Sequence, residues 1–400
     1  MKILIANPGS TSYKCKLFDA SNWQEFFQAS VERIGEDRGT VKYGFADGEN
    51  ASAGESIPDY VAAVNRTLEI LGRKVPIDGL SAVGFKVVLA KNVTGCVELT
   101  DSVLGAMTEY EPLAPVHTRV YLNAVSVFRQ ILPAVPRIGL FETAFHSGIP
   151  PEAYLYGIPF RYHEKHGIRK YGFHGASHRY VAGRVRDLYF GKRKDVRVIS
   201  CHLGGSSSVC AVRGGVSVDT SMGMSPQCGL LNAKRVGDLD PFALLYLMEK
   251  ESWSIPEARE ILISEAGVLG ISELSGDFRD IEKAMAGGNR KAELAFKAFA
   301  YGVRRYIGEY LAVLNGADCI AFTGGLGQNS PAMRRAIAGS MENLGVALDE
   351  EKNRSVTGEG LISADRSAVL MAVVQTDEER VVAGEVADFL KRNRKTEGNE

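Results

Sequence analysis

Two stretches of this chain repeat one design. Ile3-Leu4-Ile5-Ala6-Asn7-Pro8-Gly9-Ser10-Thr11-Ser12 is an apolar run that breaks into a Gly/Ser turn and resumes from Tyr13 to Phe18. Val198-Ile199-Ser200-Cys201-His202-Leu203-Gly204-Gly205-Ser206-Ser207-Ser208 does the same and resumes from Val209 to Val212. Each reads as a strand, a tight turn and a returning strand. Glycine permits turn geometries that other residues resist, and small residues let backbone N–H groups approach an anion. One such turn is ordinarily just a hairpin. A second, in the other half of the chain, predicts a duplicated fold whose two loops hold a polyphosphate from opposite sides of a cleft.

The chain has 400 residues, more than one core comfortably organises, so two domains are expected. With 45% apolar and 24% charged residues it has ample material for globular cores. A net charge of −1 argues against nucleic acid or a membrane surface as the main partner. Cysteines 15, 96, 201, 210, 228 and 319 form no C-x-x-C pair, which predicts reduced, packed thiols. Met1-Lys2 leads straight into a strand and no apolar run approaches about 18 residues, so neither a leader nor a membrane span is expected. The expected location is cytoplasmic.

Strands and helices interleave throughout, the pattern of an α/β protein. A helix is expected from Pro58 to Leu71, strands from Val83 to Leu89 and from Arg137 to Phe141, and a helix from Val116 to Phe128. Pro150-Pro151 marks the expected domain crossing. The clearest helix runs from about Arg290 to Asn315, with Phe296, Phe299, Val303, Ile307, Leu311 and Leu314 on one stripe and Gly316 stopping it. A strand from Cys319 to Thr323 follows, and a last helix, Glu379 to Leu390, precedes a polar tail.

Gly324-Gly325-Leu326-Gly327-Gln328-Asn329 follows a buried strand and should open a helix, where backbone N–H groups and the helix N-terminus favour anions. It supplies a third wall for a nucleotide site. The seven histidines fall between residues 117 and 202. His174-Gly175-Ala176-Ser177-His178 lacks the Glu of an H-E-x-x-H zinc site, so zinc is not expected. His174 instead lies on a Gly-rich loop, where it could donate to a phosphoryl oxygen. Lys14, on the strand returning from the first turn, and Arg235, in Lys234-Arg235-Val236-Gly237-Asp238, are candidate phosphate partners. Asp277-Phe278-Arg279 suits adenine stacking, and a helix start is an equally good account of it. Asn7, Glu142 and Glu378 end strands near the inferred cleft, and Mg²⁺ needs few protein ligands.

These motifs resemble the acetate kinase family, in the superfamily that joins acetate and sugar kinases with actin. The resemblance spans nearly the whole chain. It rests on N-P-G-S-T-S at Asn7 to Ser12, E-K-H-G-I-R-K-Y-G-F-H-G-A-S-H at Glu164 to His178 and S-C-H-L-G at Ser200 to Gly204. It continues through T-S-M-G at Thr220 to Gly223, G-V-L-G-I-S-E-L-S-G-D-F-R-D at Gly267 to Asp280, G-N-R-K-A-E-L-A at Gly288 to Ala295 and T-G-G-L-G-Q-N-S at Thr323 to Ser330. It implies two actin-like (ribonuclease H-like) α/β domains around a cleft: 1–149, completed by a helix at about 379–400, and 150–378. It also implies a homodimer and reversible phosphoryl transfer from ATP to acetate. By the same carry-over Asn7 and Glu378 would serve Mg²⁺ (or Mn²⁺), and Glu142, His174 and Arg235 would act in transfer. The nucleotide would be bound by Lys14, His202, Leu203, Gly204, Gly205, Ser206, Asp277, Phe278, Arg279, Gly325, Leu326, Gly327, Gln328 and Asn329. His117 would line the acyl site.

The chain departs from the family mostly in the acyl and phosphoryl region. The family's H-R-V-V-H-G-G reads Phe85-Lys86-Val87-Val88-Leu89-Ala90-Lys91, so its arginine is Lys86, without the planar fork that grips a carboxylate. Its aspartate is Glu142, its N-P-P after the histidine is Thr118-Arg119-Val120, and its N-G-A-S is Gly205-Ser206-Ser207-Ser208. Arg119 is the candidate to supply the guanidinium lost at Lys86. Three readings stay open: an acetate kinase, a kinase for propionate or another short acid, and a nucleotide-binding paralogue whose catalysis has decayed.

Overall fold

The computed structural model describes residues 1–397. The chain divides into two compact units, one formed by Met1–Ala144 with the segment from Asp377 onward, the other by Phe145–Thr376. The division falls a few residues ahead of Pro150-Pro151, which begins a short helix inside the second unit.

The first unit is built on an eight-stranded sheet. Its strands are β1 (Lys2–Pro8), β2 (Ser12–Asp19), β3 (Gln24–Glu32), β4 (Gly39–Phe45), β5 (Asn50–Glu55), β6 (Leu80–Val87), β7 (Cys96–Glu98) and β8 (Arg137–Phe141). They lie in the order β5-β4-β3-β2-β1-β6-β8-β7. The second unit holds β9 (Arg197–His202), β10 (Ser208–Arg213), β11 (Val216–Thr220), β12 (Cys319–Thr323), β13 (Gly360–Leu361) and β14 (Leu370–Val373), in the order β11-β10-β9-β12-β14-β13.

The echo in the sequence is a repeat of topology. In the first unit β3, β2 and β1 are antiparallel and β1, β6 and β8 parallel. In the second, β11, β10 and β9 are antiparallel and β9, β12 and β14 parallel. The parallel strands are apolar on both faces because helices cover both. On one face of the first sheet the helices Tyr60–Gly72 and Pro115–Ile131 pack, with Phe85 and Tyr13 against Phe128 at ring separations of 5.5 and 6.2 Å. On the other lies the helix Glu378–Glu397, whose Val382, Ala383, Val386 and Ala387 join Ile3, Ile5 and Ile138 in one buried cluster. Gly84 permits that approach, since a Cβ there would stand 2.7 Å from Ile5 and 3.1 Å from Val386. This helix runs past the expected end at Leu390, and residues 398–400 of the predicted range lie outside the described residues.

In the second unit the helix Arg290–Val313 lays Phe296, Phe299, Val303 and Ile307 on one sheet face, and Gly316 follows at φ +90°. The helix Gly175–Val185 covers the other face through Val181 and Val185. All six cysteines are free thiols.

Candidate functional site

β9 and β12 end side by side, with Thr323 in register with His202, so the Gly-rich loop after His202 and the loop that opens the short helix Gly324–Asn329 leave the sheet together. They are hooked to each other through Leu203. Its N–H donates to the Thr323 carbonyl at 2.8 Å, and its own carbonyl accepts from Leu326 and Gly327 at 3.0 and 3.2 Å. Gly324 holds φ +75°, and a Cβ there would sit 2.5 Å from the Leu203 oxygen; no other residue fits.

Beside these loops opens a cavity of about 710 Å³. The candidates Gly204, Gly205, Asp277, Phe278, Arg279, Gly325, Leu326 and Asn329 line it. Leu203 is buried in the core, Gly327 packs on Phe322, and the Gln328 amide turns back to the Thr323 hydroxyl at 3.4 Å. Phe278 gives most of its ring to the core, 4.6 Å from Phe299, while the Arg279 guanidinium is exposed and grips Asp277. Asp277 also caps the helix Phe278–Ala286, and the Arg279 contact followed by the backbone N–H bond pulls its carboxyl down to about 2. Ala233, Lys234, Ser275, Gly276, Glu282 and Ser330 line the cavity as well; Lys234, Ser275, Gly276 and Ser330 stand inside the quoted motifs without a binding role assigned to them, and Ala233 and Glu282 lie outside the motifs. Glu282 had a legible signal, standing four residues after Phe278 on one helical face.

Ser207 braces the second turn. Its hydroxyl accepts from the Gly204 N–H at 3.0 Å, and its own N–H donates to the Asn232 side chain at 2.6 Å. From the Asn232 loop, Arg235 Nη1 reaches the Ser206 hydroxyl at 3.0 Å, and burial pulls its pKa down from the ordinary value. His174 starts the helix Gly175–Val185 at φ +56°, a left-handed conformation that costs about 1–3 kcal/mol for a non-glycine residue. What holds it there is visible. His146, buried beneath the loop, bonds the Phe173 carbonyl through Nε2 at 2.9 Å and the Ser217 hydroxyl through Nδ1 at 2.8 Å. Since a carbonyl only accepts, His146 carries its proton on Nε2. Gly172, at φ +75°, lies so close that a Cβ would meet the His146 ring at 2.8 Å. His202 stacks on His174 with ring centroids 4.3 Å apart, and Ser177 fixes its Nδ1 at 2.8 Å.

The first unit gathers a charged cluster. Lys86 on β6 lies 3.0 Å from Glu142, which follows β8, and also pairs with Glu378 at the start of the last helix. Burial opposes the Lys86 charge, but the two carboxylates outweigh it and raise its pKa. The Asn7 amide, ending β1, donates to Glu379 at 3.4 Å, and the Tyr121 hydroxyl donates to Asn7 at 3.5 Å. Burial, reinforced by the nearby glutamates, raises the Tyr121 pKa. The described residues contain no group of three or more His, Cys, Asp or Glu poised to hold a metal. A hard cation that keeps most of its waters needs fewer; the Asn7 amide contacts the Glu379 carboxylate while Glu378 is engaged by Lys86, and all three carry the oxygen donors such a cation takes.

Lys14 lines a separate groove of about 480 Å³ with Lys16, Ser30, Lys42 and Glu379. His117 and Arg119 occupy the exposed first turn of the helix Pro115–Ile131, and Arg119 is held by Glu111 at 2.5 Å. The structure thus gathers Lys86, Glu142 and Glu378 in one cluster, and leaves Arg119 engaged elsewhere on the surface.

The acetokinase family model matches residues 2–384. Over 396 residues the chain is 41% identical to the acetate kinase of Natranaerobius thermophilus, covering 98% of this chain and 100% of that protein. The crystal structure of Porphyromonas gingivalis acetate kinase matches with a TM-score of 0.85 at 34% identity, over 97% of this chain and 99% of that one. A propionate kinase from Francisella tularensis matches with a TM-score of 0.87 at 30% identity, over 96% and 98%.

Proposed function

Because the chain belongs to the acetokinase family, we infer that its two actin-like units form a carboxylate kinase, transferring the γ-phosphoryl group of ATP reversibly to acetate. The products are acetyl phosphate and ADP. The observation that carries this reading is the similarity to an acetate kinase at 41% identity over 98% of the chain.

Acetate is ionised at neutral pH, its carboxyl titrating near 4, so the reaction needs no general base. A carboxylate oxygen attacks the γ-phosphorus, the bond to the β,γ-bridging oxygen breaks, and ADP leaves with that electron pair. What the protein must supply is alignment and positive charge. In our reading Gly204, Gly205, Asp277 to Arg279, Gly325, Leu326 and Asn329 hold the nucleotide, while Lys14, His202, Leu203, Ser206, Gly327 and Gln328 complete or support its binding. His174 donates a hydrogen bond to the moving phosphoryl group and Arg235 offsets its charge. Lys86, His117 and Arg119 serve the acyl substrate, and Glu142 positions Lys86. Asn7 and Glu378 would hold Mg²⁺ (or Mn²⁺), which when bound neutralises phosphate oxygens.

A kinase for propionate is the second reading, supported by the structural match to a propionate kinase. ATP-dependent acyl phosphate formation, trapped as hydroxamate with acetate and then propionate, tests both. A higher kcat/KM for acetate is expected. A preference for propionate selects the second reading, and ATP binding without any acyl phosphate defeats both in favour of a non-catalytic paralogue.

We also propose a cytoplasmic homodimer with no nucleic-acid or membrane partner. No helix among the described residues is long and apolar enough to cross a membrane. Support for self-association comes from the helix Pro241–Glu251, which leaves Phe242, Leu245 and Tyr246 exposed. Light scattering at micromolar concentration should return twice the chain mass.

A further inference from the structure

Serine hydroxyls join two of the second unit's histidines into one chain. Ser200 Oγ, on β9, lies 2.9 Å from His178 Nδ1. His178 Nε2 lies 2.7 Å from Ser208 Oγ, on β10, and that same oxygen lies 2.8 Å from His174 Nδ1. Ser200, His178 and Ser208 are wholly buried.

A hydroxyl has one proton to give. Ser208 sits between two imidazole nitrogens and its hydroxyl makes no other hydrogen bond among the described residues; accepting from both rings would strand its own buried O–H, so it donates to one and accepts from the other, which leaves two polarities. In the first, Ser200 donates to His178 Nδ1, His178 Nε2–H donates to Ser208, and Ser208 donates to His174 Nδ1. In the second every arrow reverses, and the Ser200 proton must find another acceptor. The Ser200 hydroxyl makes no other hydrogen bond among the described residues. The reversed chain therefore strands a buried O–H, which native interiors avoid. Burial also keeps His178 neutral, with a single N–H to place. A doubly protonated His174 would impose the reversed polarity as well.

We propose that Ser208, backed by His178 and Ser200, fixes His174 as the tautomer with its proton on Nε2, so that the ring offers an N–H and not a lone pair. Ser208, His178 and Ser200 are then positioning residues, acting on the phosphoryl group only through His174. The functional half of this statement rests on the phosphoryl-transfer reading above; the tautomer half stands on the geometry alone. His202 stacks on the His174 ring, centroids 4.3 Å apart, and so fixes its plane.

The test uses the full chain labelled with ¹⁵N-histidine, with the ring nitrogens read by long-range ¹H–¹⁵N correlation. Wild-type His174 should show an unprotonated Nδ1 and a protonated Nε2. Ser208→Ala, and independently Ser200→Ala, should mix the tautomers and lower kcat on the order of tenfold to 1,000-fold with the ATP KM held within about twofold, as expected when a catalytic imidazole loses its tautomer. Ser208→Thr, which keeps the hydroxyl, should restore both readings. If Ser208→Ala does not fold, Ser200→Ala, further from the site, carries the experiment. A protonated Nδ1 in the wild type, or an unchanged tautomer in both alanine variants, overturns the proposal. A changed tautomer with kcat intact upholds the serine chain and instead removes His174 from phosphoryl transfer.

Discussion

The ammonium of Lys86 stands 3.0 Å from a carboxylate oxygen of Glu142, whose side chain is only 7% exposed. Glu378 grips the same ammonium from the last helix. One cation therefore serves two carboxylates, and removing it leaves both facing each other in a poorly hydrated site. Lys86→Met should lower stability by about 2–4 kcal/mol, since breaking a buried pair strands its partner. It should also lower kcat/KM for acetate by at least about 100-fold. Urea melts and steady-state kinetics measure the two effects; a variant as stable and active as the parent would show that the cluster does neither job.

His146 makes folding stability sensitive to acid. Burial pushes its pKa down to about 4, from an unfolded value near 6.5. Between those values the unfolded chain binds more protons, so stability is fully present above about pH 6.5 and is lost as pH falls toward 4. The full loss from this residue is about 3 kcal/mol. Urea midpoints measured from pH 7.5 to 4.5 should fall steadily below 6.5, and a flat profile down to pH 5 would contradict the burial of a neutral imidazole there.

Adjacent glycines separate packing from binding. Gly324→Ala puts a Cβ 2.5 Å from the Leu203 oxygen at a left-handed backbone, and should cost about 2 kcal/mol or more. Gly325→Ala meets nothing within 4 Å and should fold normally, yet it lines the cavity and should raise the ATP KM. Equal melting temperatures for the two variants would mean that the loops are not hooked together as described.

Arg119 is 73% exposed and its pairing with Glu111 contributes little to stability, as surface ion pairs do. Arg119→Ala should leave the melt within about 0.5 kcal/mol of the parent. If Arg119 serves the acyl substrate, the acetate KM rises about tenfold, roughly the loss of one charge-assisted bond. An unchanged KM takes it out of the site.

The duplicated hairpins, the long helix from Arg290 and the Gly-rich loop after β12 were legible because each rests on local periodicity and turn chemistry. Glu378's pairing with Lys86 was not, since the two are 292 positions apart and only the packing of the last helix brings them together. The role of His146 was equally hidden: a lone histidine carries no mark of the carbonyl above it. Phe278 illustrates a different limit. Its motif placed it at the cavity, but a helix start does not reveal that most of the ring faces Phe299.

The last helix has a consequence for how the protein is made. Val382 and Val386 close the sheet face that Ile3 and Ile5 open, yet a ribosome reaches them only after the whole of the second unit has been synthesised. The first half of the chain must therefore wait, one apolar sheet face uncovered, while the second half completes its own core. A nascent chain halted before residue 377 would present that face to chaperones.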